Sequence, residues 1–311
     1  MNRNGILKHI DLWAKRLGSY SEVARKAGIS DTAMSQIKSG KYGADEGQIL
    51  KKIAVALDYK ESDWVIVPSI LNYSRIANIF NDAKAESMWF AISNKAGSGK
   101  TGTLEDLYNK DTSGSVFFIQ AEEWSGRQFL MQIVRKTLGE AATKGKYRTN
   151  SEIIQMIADY FNEMQFDNPV LIIDEADKLR PAALRMLIPL YNKTEERLGL
   201  IASGTENLEK EIKTGVRLAK KGYDELDSRF GRNFIYLNGI TEDECSRICE
   251  ANGITDPFAQ SQIWTQLDKV EKKTKIRKRT GEKEEIITYA EDLRRLKRII
   301  KRELLKNKNA A

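Results

Sequence analysis

The sequence predicts an α/β protein: a parallel sheet carrying a glycine-rich loop, preceded by a small all-α helix-turn-helix domain and followed by a helical C-terminal part. Three observations predict it. The stretch Asn94-Lys95-Ala96-Gly97-Ser98-Gly99-Lys100-Thr101 follows a short apolar run, Met88 to Ile92, and leads into Gly102 and a helical opening turn, Thr103 to Leu107. A second apolar run, Val170 to Ile173, ends in two carboxylates, Asp174 and Glu175. Strands alternate with helices around both, the pattern of a parallel sheet.

From the N-terminus, Ile6 to Gly18 has helical apolar spacing. Tyr20 to Lys38 then reads as a helix-turn-helix: Ala24 sits where two helices cross, Gly28 makes the turn, Ile29 plugs the core and Ser30 caps the second helix. That helix carries Thr32, Ser35, Gln36 and Lys38 outward. It is read either as a DNA-contacting face, with Gln36 and Lys38 as contacts and Lys41 and Tyr42 nearby, or as a protein-binding helical domain. Lys51 to Trp64 completes the domain, and Val65 to Ser69 is a linker in which Pro68 disfavours helix. The expected division is 1–67, 68–240 and 241–311.

Ile70 to Lys84 is helical and leads into the first strand. Ile70 and Tyr73 stand where an adenine would be walled, or simply pack. In the loop that follows, glycines let backbone N–H groups approach phosphates, the helix N-terminus adds partial positive charge, Lys100 reaches the β and γ phosphates, and the Thr101 hydroxyl ligates Mg2+. Asn94 occupies the position where this motif has Gly, and Asn tolerates left-handed backbone angles.

Next come a strand from Val116 to Gln120 and helices Arg127 to Leu138 and Glu152 to Glu163, the latter with a Thr149–Glu152 capping box. The run ending in Asp174-Glu175 reads as a central strand buried on both faces, with Asp174 holding Mg2+ through water and Glu175 activating the attacking water. A helix from Ala182 to Asn192, opened by Pro181, and strands Gly199 to Ser203 and Asn233 to Leu237 complete the sheet. Ser203 and Thr205, at the fourth-strand exit, are candidates for sensing the γ-phosphate or for a turn role. Arg229, just before the last strand, reads as a cation projecting into a neighbouring subunit's site or as a solvated charge. Arg127, in the segment Glu123 to Arg127, is a candidate phosphate contact on DNA, with Lys144, Lys146 and Arg148 as helpers.

From Thr241 on the chain reads as helical: a Thr241–Glu244 capping box, then Pro257 to Val270 and Ala290 to Lys306. The cationic run from Lys269 to Arg279 between them reads as a solvated loop, a phosphate tracker or a dock for an acidic partner. Arg294 and Arg295 stand on the early turns of the last helix.

With 311 residues the chain is long enough for two or three domains, and 41% hydrophobic with 31% charged residues is a globular composition. A net charge of +7 points to a polyanionic partner, nucleic acid first. Cys245 and Cys249, with His9 far away in sequence, form neither a zinc site nor a disulfide framework. With no signal-peptide pattern and no membrane-length apolar run, no membrane partner and a cytoplasmic location are expected.

Together, the Gly-Lys-Thr loop, the Asp174-Glu175 strand, the polar fourth-strand exit, Ser228-Arg229-Phe230 before the fifth strand and the helical remainder resemble an AAA+ ATPase over roughly Ile70 to Lys306. With the Ile29-Ser30 turn and the stretch Lys41 to Glu46 added, the chain resembles the transposition target-selector family of AAA+ ATPases. The resemblance implies an AAA+ P-loop parallel sheet with a helical lid, and ATP and Mg2+ as cofactors. It also implies largely nonspecific binding of double-stranded DNA as a helical filament in a bacterial host, and delivery of that DNA to a DDE transposase, which it stimulates. By position, Lys100 and Thr101 match the nucleotide motif, Asp174 and Glu175 the Mg2+ and hydrolysis motif, Arg229 the trans-acting finger and Arg294 the lid sensor. Two other classes share the pattern: a replication-initiator or helicase-loader ATPase, and an ATP-switched transcriptional regulator reading DNA with its N-terminal helices.

Overall fold

The structure is a computed structural model that describes residues 3–43, 45–59, 64–145, 147–278 and 281–310. These fall into two compact units, one of residues 1–64 with 107–116 and one of 65–106 with 117–311. Within the first, helices α1 (Arg3–Leu17), α2 (Tyr20–Ala27), α3 (Asp31–Ser39) and α4 (Glu46–Ala56) enclose a core that includes Ile6, Ile10, Val23, Ala24, Met34, Ile37 and Ile53. The helix-turn-helix is built as its sequence dictates. Ser19 and Ser30 cap α2 and α3, Gly28 closes α2 in the left-handed conformation, and Ile29 packs against the core.

The second unit contains α5 (Leu71–Glu86), β1 (Trp89–Ser93), the start of α6 (Lys100–Lys110), β2 (Val116–Gln120), α7 (Gly126–Thr137), α8 (Asn150–Glu163), β3 (Val170–Asp174), α9 (Pro181–Leu184), α10 (Leu187–Thr194), β4 (Gly199–Gly204), α11 (Glu206–Arg217), α12 (Tyr223–Arg229) and β5 (Phe234–Ile235). The five strands form one parallel sheet in the order β2-β3-β4-β1-β5. Every residue of β3 and β4 is buried, the signature of strands covered on both faces. Phe129, Leu130 and Ile133 of α7 and Ile153, Ile157 and Phe161 of α8 join the core that covers the sheet. Both expected capping boxes form, at Thr149 and Thr241, and Ser125 makes a third at α7.

Beyond the sheet, α13 (Glu242–Ala251) and α14 (Pro257–Thr265) are helical as expected, with Cys245 and Cys249 free and buried on α13. Between the expected helices, the cationic run from Lys269, whose last residue Arg279 lies outside the described residues, corrects the expectation of a solvated loop. It forms an antiparallel ribbon, β6 (Lys269–Lys278) with β7 (Gly281–Ala290), before the last helix α15 (Leu293–Ala310). The cause lies in β7, where Ile286-Ile287-Thr288-Tyr289 is a run of β-branched and aromatic residues that favours a strand. Elsewhere the expected helix from Ala182 to Asn192 is two helices, α9 and α10, and the last sheet strand shrinks to two residues. No helix among the described residues is long and apolar enough to cross a membrane.

Gly199 shows how tightly the sheet is packed: a Cβ there would lie 2.1 Å from the Ala83 carbonyl oxygen of α5. Gly199→Ala should therefore destabilise the protein by about 1–3 kcal/mol through overpacking, read as a lower midpoint in chemical denaturation.

Candidate nucleotide site

The loop between β1 and α6 is suspended from the sheet by Asn94. Its N–H donates to the Gly204 carbonyl at 3.3 Å, and its Oδ1 accepts from the Leu237 N–H at 3.3 Å. Asn94 does not have a positive φ, which corrects the expectation that this position uses a left-handed turn; its side chain serves as a tie between strands instead. The left-handed angles fall at Gly97 (φ 86°) and Gly99 (φ 91°). Lys100, only 8% exposed, donates from Nζ to the carbonyls of Asn94 (2.6 Å) and Lys95 (2.9 Å) and to Ser98 Oγ (3.1 Å). Burial pulls its pKa below the ordinary lysine value, Asp174 and Asp177 pull it back up, and Arg294 adds to the lowering.

Thr101 Oγ1 donates to Asp174 Oδ2 at 2.7 Å, joining the first turn of α6 to the end of β3. Asp174 is buried, and desolvation raises its pKa in spite of Thr101 and Ser203. The buried Ser203 hydroxyl lies within electrostatic reach of Asp174 and makes no hydrogen bond of ordinary geometry. Thr205 has a different role: it caps α11 and donates to Asp177 Oδ2 at 2.6 Å. Asp177, which sequence reasoning missed, thus anchors the fourth-strand exit and helps keep Lys100 charged.

Glu175 adopts the left-handed conformation (φ 54°, ψ 34°) directly after β3. Its Oε2 accepts from Lys178 Nζ at 2.6 Å and from Gln120 Nε2, at the end of β2, at 3.2 Å. These two holders were also missed, because the left-handed turn that brings Lys178 back to Glu175 has no signal in the residue pattern.

The start of α15 borders the loop. The Leu293 N–H donates to the Gly97 carbonyl at 2.8 Å, and a Cβ on Gly97 would lie 2.4 Å from Asp292 Oδ1. Glu291 bridges Lys95 of the loop (2.8 Å) and Lys272 of β6 (2.6 Å). Burial pushes its carboxyl up, but the two lysines outweigh that and hold it below the usual range.

The loop fits a nucleoside triphosphate with Mg2+. A buried ammonium occupied by its own loop's oxygens, the N-terminus of α6 and a hydroxyl–carboxylate pair suited to a hard cation converge there. Lys100, Thr101 and Asp174 are brought together with Ser98, Gly97 and Gly99, and Arg294 lies within electrostatic reach. Gly102 follows in α6. Ile70 and Tyr73 are buried in and beside α5, with the Tyr73 hydroxyl donating to Asp106 at 2.7 Å.

The remaining sequence candidates lie elsewhere. Arg229 ends α12, donates to Asn192 Oδ1 at 2.9 Å and lies over the Tyr191 ring. Arg127 donates to the Arg148 carbonyl at 2.5 Å and stacks on Tyr147, an aromatic that is 79% exposed and was not anticipated; Lys144 is exposed close by in sequence. Lys146 lies outside the described residues. Gln36 is exposed on α3, whereas Lys38 is engaged by Asp11 at 2.5 Å and lies over Tyr20.

A parallel sheet in this order, with a Gly-Lys-Thr loop after its first strand and an acidic pair after its third, is the arrangement of an AAA+ fold. Residues 90–212 match the family described as "AAA domain". Among solved structures the chain is similar to Cdc6p from Pyrobaculum aerophilum, with 16% identity, a TM-score of 0.44, and coverage of 61% of this chain and 52% of that one. It is also similar to a chain of Drosophila ORC bound to AT-rich DNA and Cdc6, with 13% identity, a TM-score of 0.35, and coverage of 74% and 90%. No curated protein matches the sequence.

Asp174→Asn removes a desolvated charge, so the ligand-free variant should melt higher than the wild type at pH 7. Because the folded-state pKa of Asp174 is raised, the wild type loses stability as pH rises through that pKa and recovers it below. The difference in melting temperature should therefore narrow on acidification, and Mg2+ with ATP should stabilise only the wild type in the same thermal scans.

Proposed function

We propose that this chain is an ATPase whose nucleotide state controls its assembly on double-stranded DNA. The observation that carries the reading is the Thr101–Asp174 pair beside the buried Lys100 ammonium, with Glu175 next in the chain. Bound ATP with Mg2+ supplies the reactive γ-phosphate and most of its charge neutralisation. Lys100 offers its charge to the phosphates, Thr101 and Asp174 hold the cation, and Glu175 accepts the proton of the attacking water once it leaves Lys178 and Gln120. Arg294 senses the phosphates from the lid, and Arg229 completes the site of a neighbouring subunit. The helix-turn-helix of residues 1–67, the half-buried Arg127 stacked on the exposed Tyr147 and the basic net charge support duplex DNA as the polyanion.

In the finer reading, the DNA so coated is target DNA delivered to a DDE transposase, following the likeness to the transposition target-selector family. A replication-initiator or helicase-loader role stands beside it with at least equal support, since the matched family is the AAA domain alone and names no partner. The two part at the partner: stimulation of strand transfer belongs to the first, and dependence on a helicase to the second.

Lys100→Ala should lose ATP binding and ATP-dependent DNA binding, while Glu175→Gln should keep both and lower hydrolysis by about a hundredfold or more, the order expected when a general base is removed, measured by phosphate release and fluorescence anisotropy. Equal DNA affinity of the wild type with and without ATP would refute the switch.

The role of Arg229 is tested by mixing Arg229→Ala with Lys100→Ala, each inactive alone. Intact loops beside intact arginines then arise only across subunit boundaries, and ATPase activity should reappear on DNA. No recovery in mixtures shown to co-assemble would rule out action in trans.

A further inference from the structure

The β6–β7 ribbon holds none of the residues assigned above to the nucleotide site. Its strands form a separate two-stranded sheet, in register from Lys269↔Ala290 to Lys278↔Gly281. At about 3.3 Å per residue the ribbon extends roughly 30 Å. A two-stranded ribbon is marginal on its own in water, and an edge with no neighbouring strand is open to a partner.

Acidic and basic residues are unevenly placed along it. Register pairs Glu284 with Lys275 and Glu282 with Arg277, so acid stands across from base at those two positions. Lys273, Lys278 and Lys283 are paired in register with Ile286, Gly281 and Ile276, none of them acidic. By strand periodicity position 273 belongs to one face of the ribbon and positions 278 and 283 to the other, so basic residues are in excess on both.

The base of the ribbon is fastened. Ile240 and Ala290 exchange backbone hydrogen bonds of 2.9 Å each, and Lys272 Nζ donates to the Asn238 carbonyl at 3.2 Å and to Glu291 Oε1 at 2.6 Å. The other Glu291 oxygen holds Lys95 of the nucleotide loop. One carboxylate thus links the ribbon to the phosphate-binding loop.

We propose that this ribbon is a DNA arm: its distal basic residues contact the phosphates of a duplex, while its base is tied to the nucleotide site through Glu291. The inference rests on the reading that the chain acts on duplex DNA. A two-stranded ribbon fits the major groove, which is about 12 Å wide, and an excess of basic residues on both faces suits a ligand with phosphates on either side. An acidic protein partner would engage one face.

The test uses the full chain with ATP and a fluorescent duplex of random sequence, with affinity measured across a salt series. Lys273→Ala/Lys278→Ala/Lys283→Ala should weaken binding at least about tenfold near physiological salt and flatten the slope of log K against log salt by about 0.9 for each phosphate no longer neutralised, with ATP binding unchanged. Glu282→Lys should strengthen binding, a gain that loss of structure in the alanine variant would not account for. If the wild type binds DNA and neither variant changes affinity or slope, the arm is refuted while the functional reading stands. The arm is refuted equally if DNA binding is unchanged and only stimulation of a partner protein disappears, since the ribbon is then a protein dock. If the wild type fails to bind duplex DNA with or without ATP, the functional reading itself fails.

Discussion

The site depends on keeping one lysine ammonium charged inside a protein. Burying Lys100 disfavours its charged form, and three oxygens of its own loop offset that cost together with the field of Asp174 and Asp177. The surrounding architecture follows from this requirement. The carboxylates must stand at the end of β3 and just beyond it, so that strand has to be central and buried; Asn94 has to tie the loop to the exits of β4 and β5 so that its carbonyls point inward.

The same arrangement holds two charges in tension. Asp174 is desolvated and its pKa is raised, whereas Lys100 is desolvated and its pKa is lowered, so each moderates the other. A site built this way is most comfortable when a phosphate and a divalent cation replace the internal contacts, because each buried group then meets a stronger partner of opposite charge. Glu175 adds to this balance, since its charge raises the Asp174 pKa and its backbone lowers it, while its own carboxylate is held by Lys178 and Gln120 on a more exposed rim.

Much of this was legible in the residues. The nucleotide loop and β3 announce themselves because that glycine spacing and an unbroken apolar run ending in two acids seldom occur together in any other architecture, and the caps at Ser30, Thr149 and Thr241 formed where their hydroxyls fall. The ribbon was not legible in β6, whose many lysines carry no apolar periodicity and resemble a solvated loop. The signal lay in β7, where Ile286 to Tyr289 has the composition of a strand. Lys178, Gln120, Asp177 and Asp292 escaped notice because their roles depend on backbone turns and on chain segments distant in sequence. Lys38 was visible as an outward cation, but its carboxylate, Asp11, comes from α1.

The contact between Gly97 and Asp292 sets a limit on how this sequence can drift. Position 97 is glycine for two separate reasons, a left-handed backbone angle and the lack of room before the carboxylate that precedes α15. Shortening the side chain at 292 would relieve the crowding alone and leave the backbone angle unfavourable to any other residue at 97. The loop after the first strand and the turn that leads into α15 are thereby fitted to each other, and any side chain admitted at 97 would force them apart.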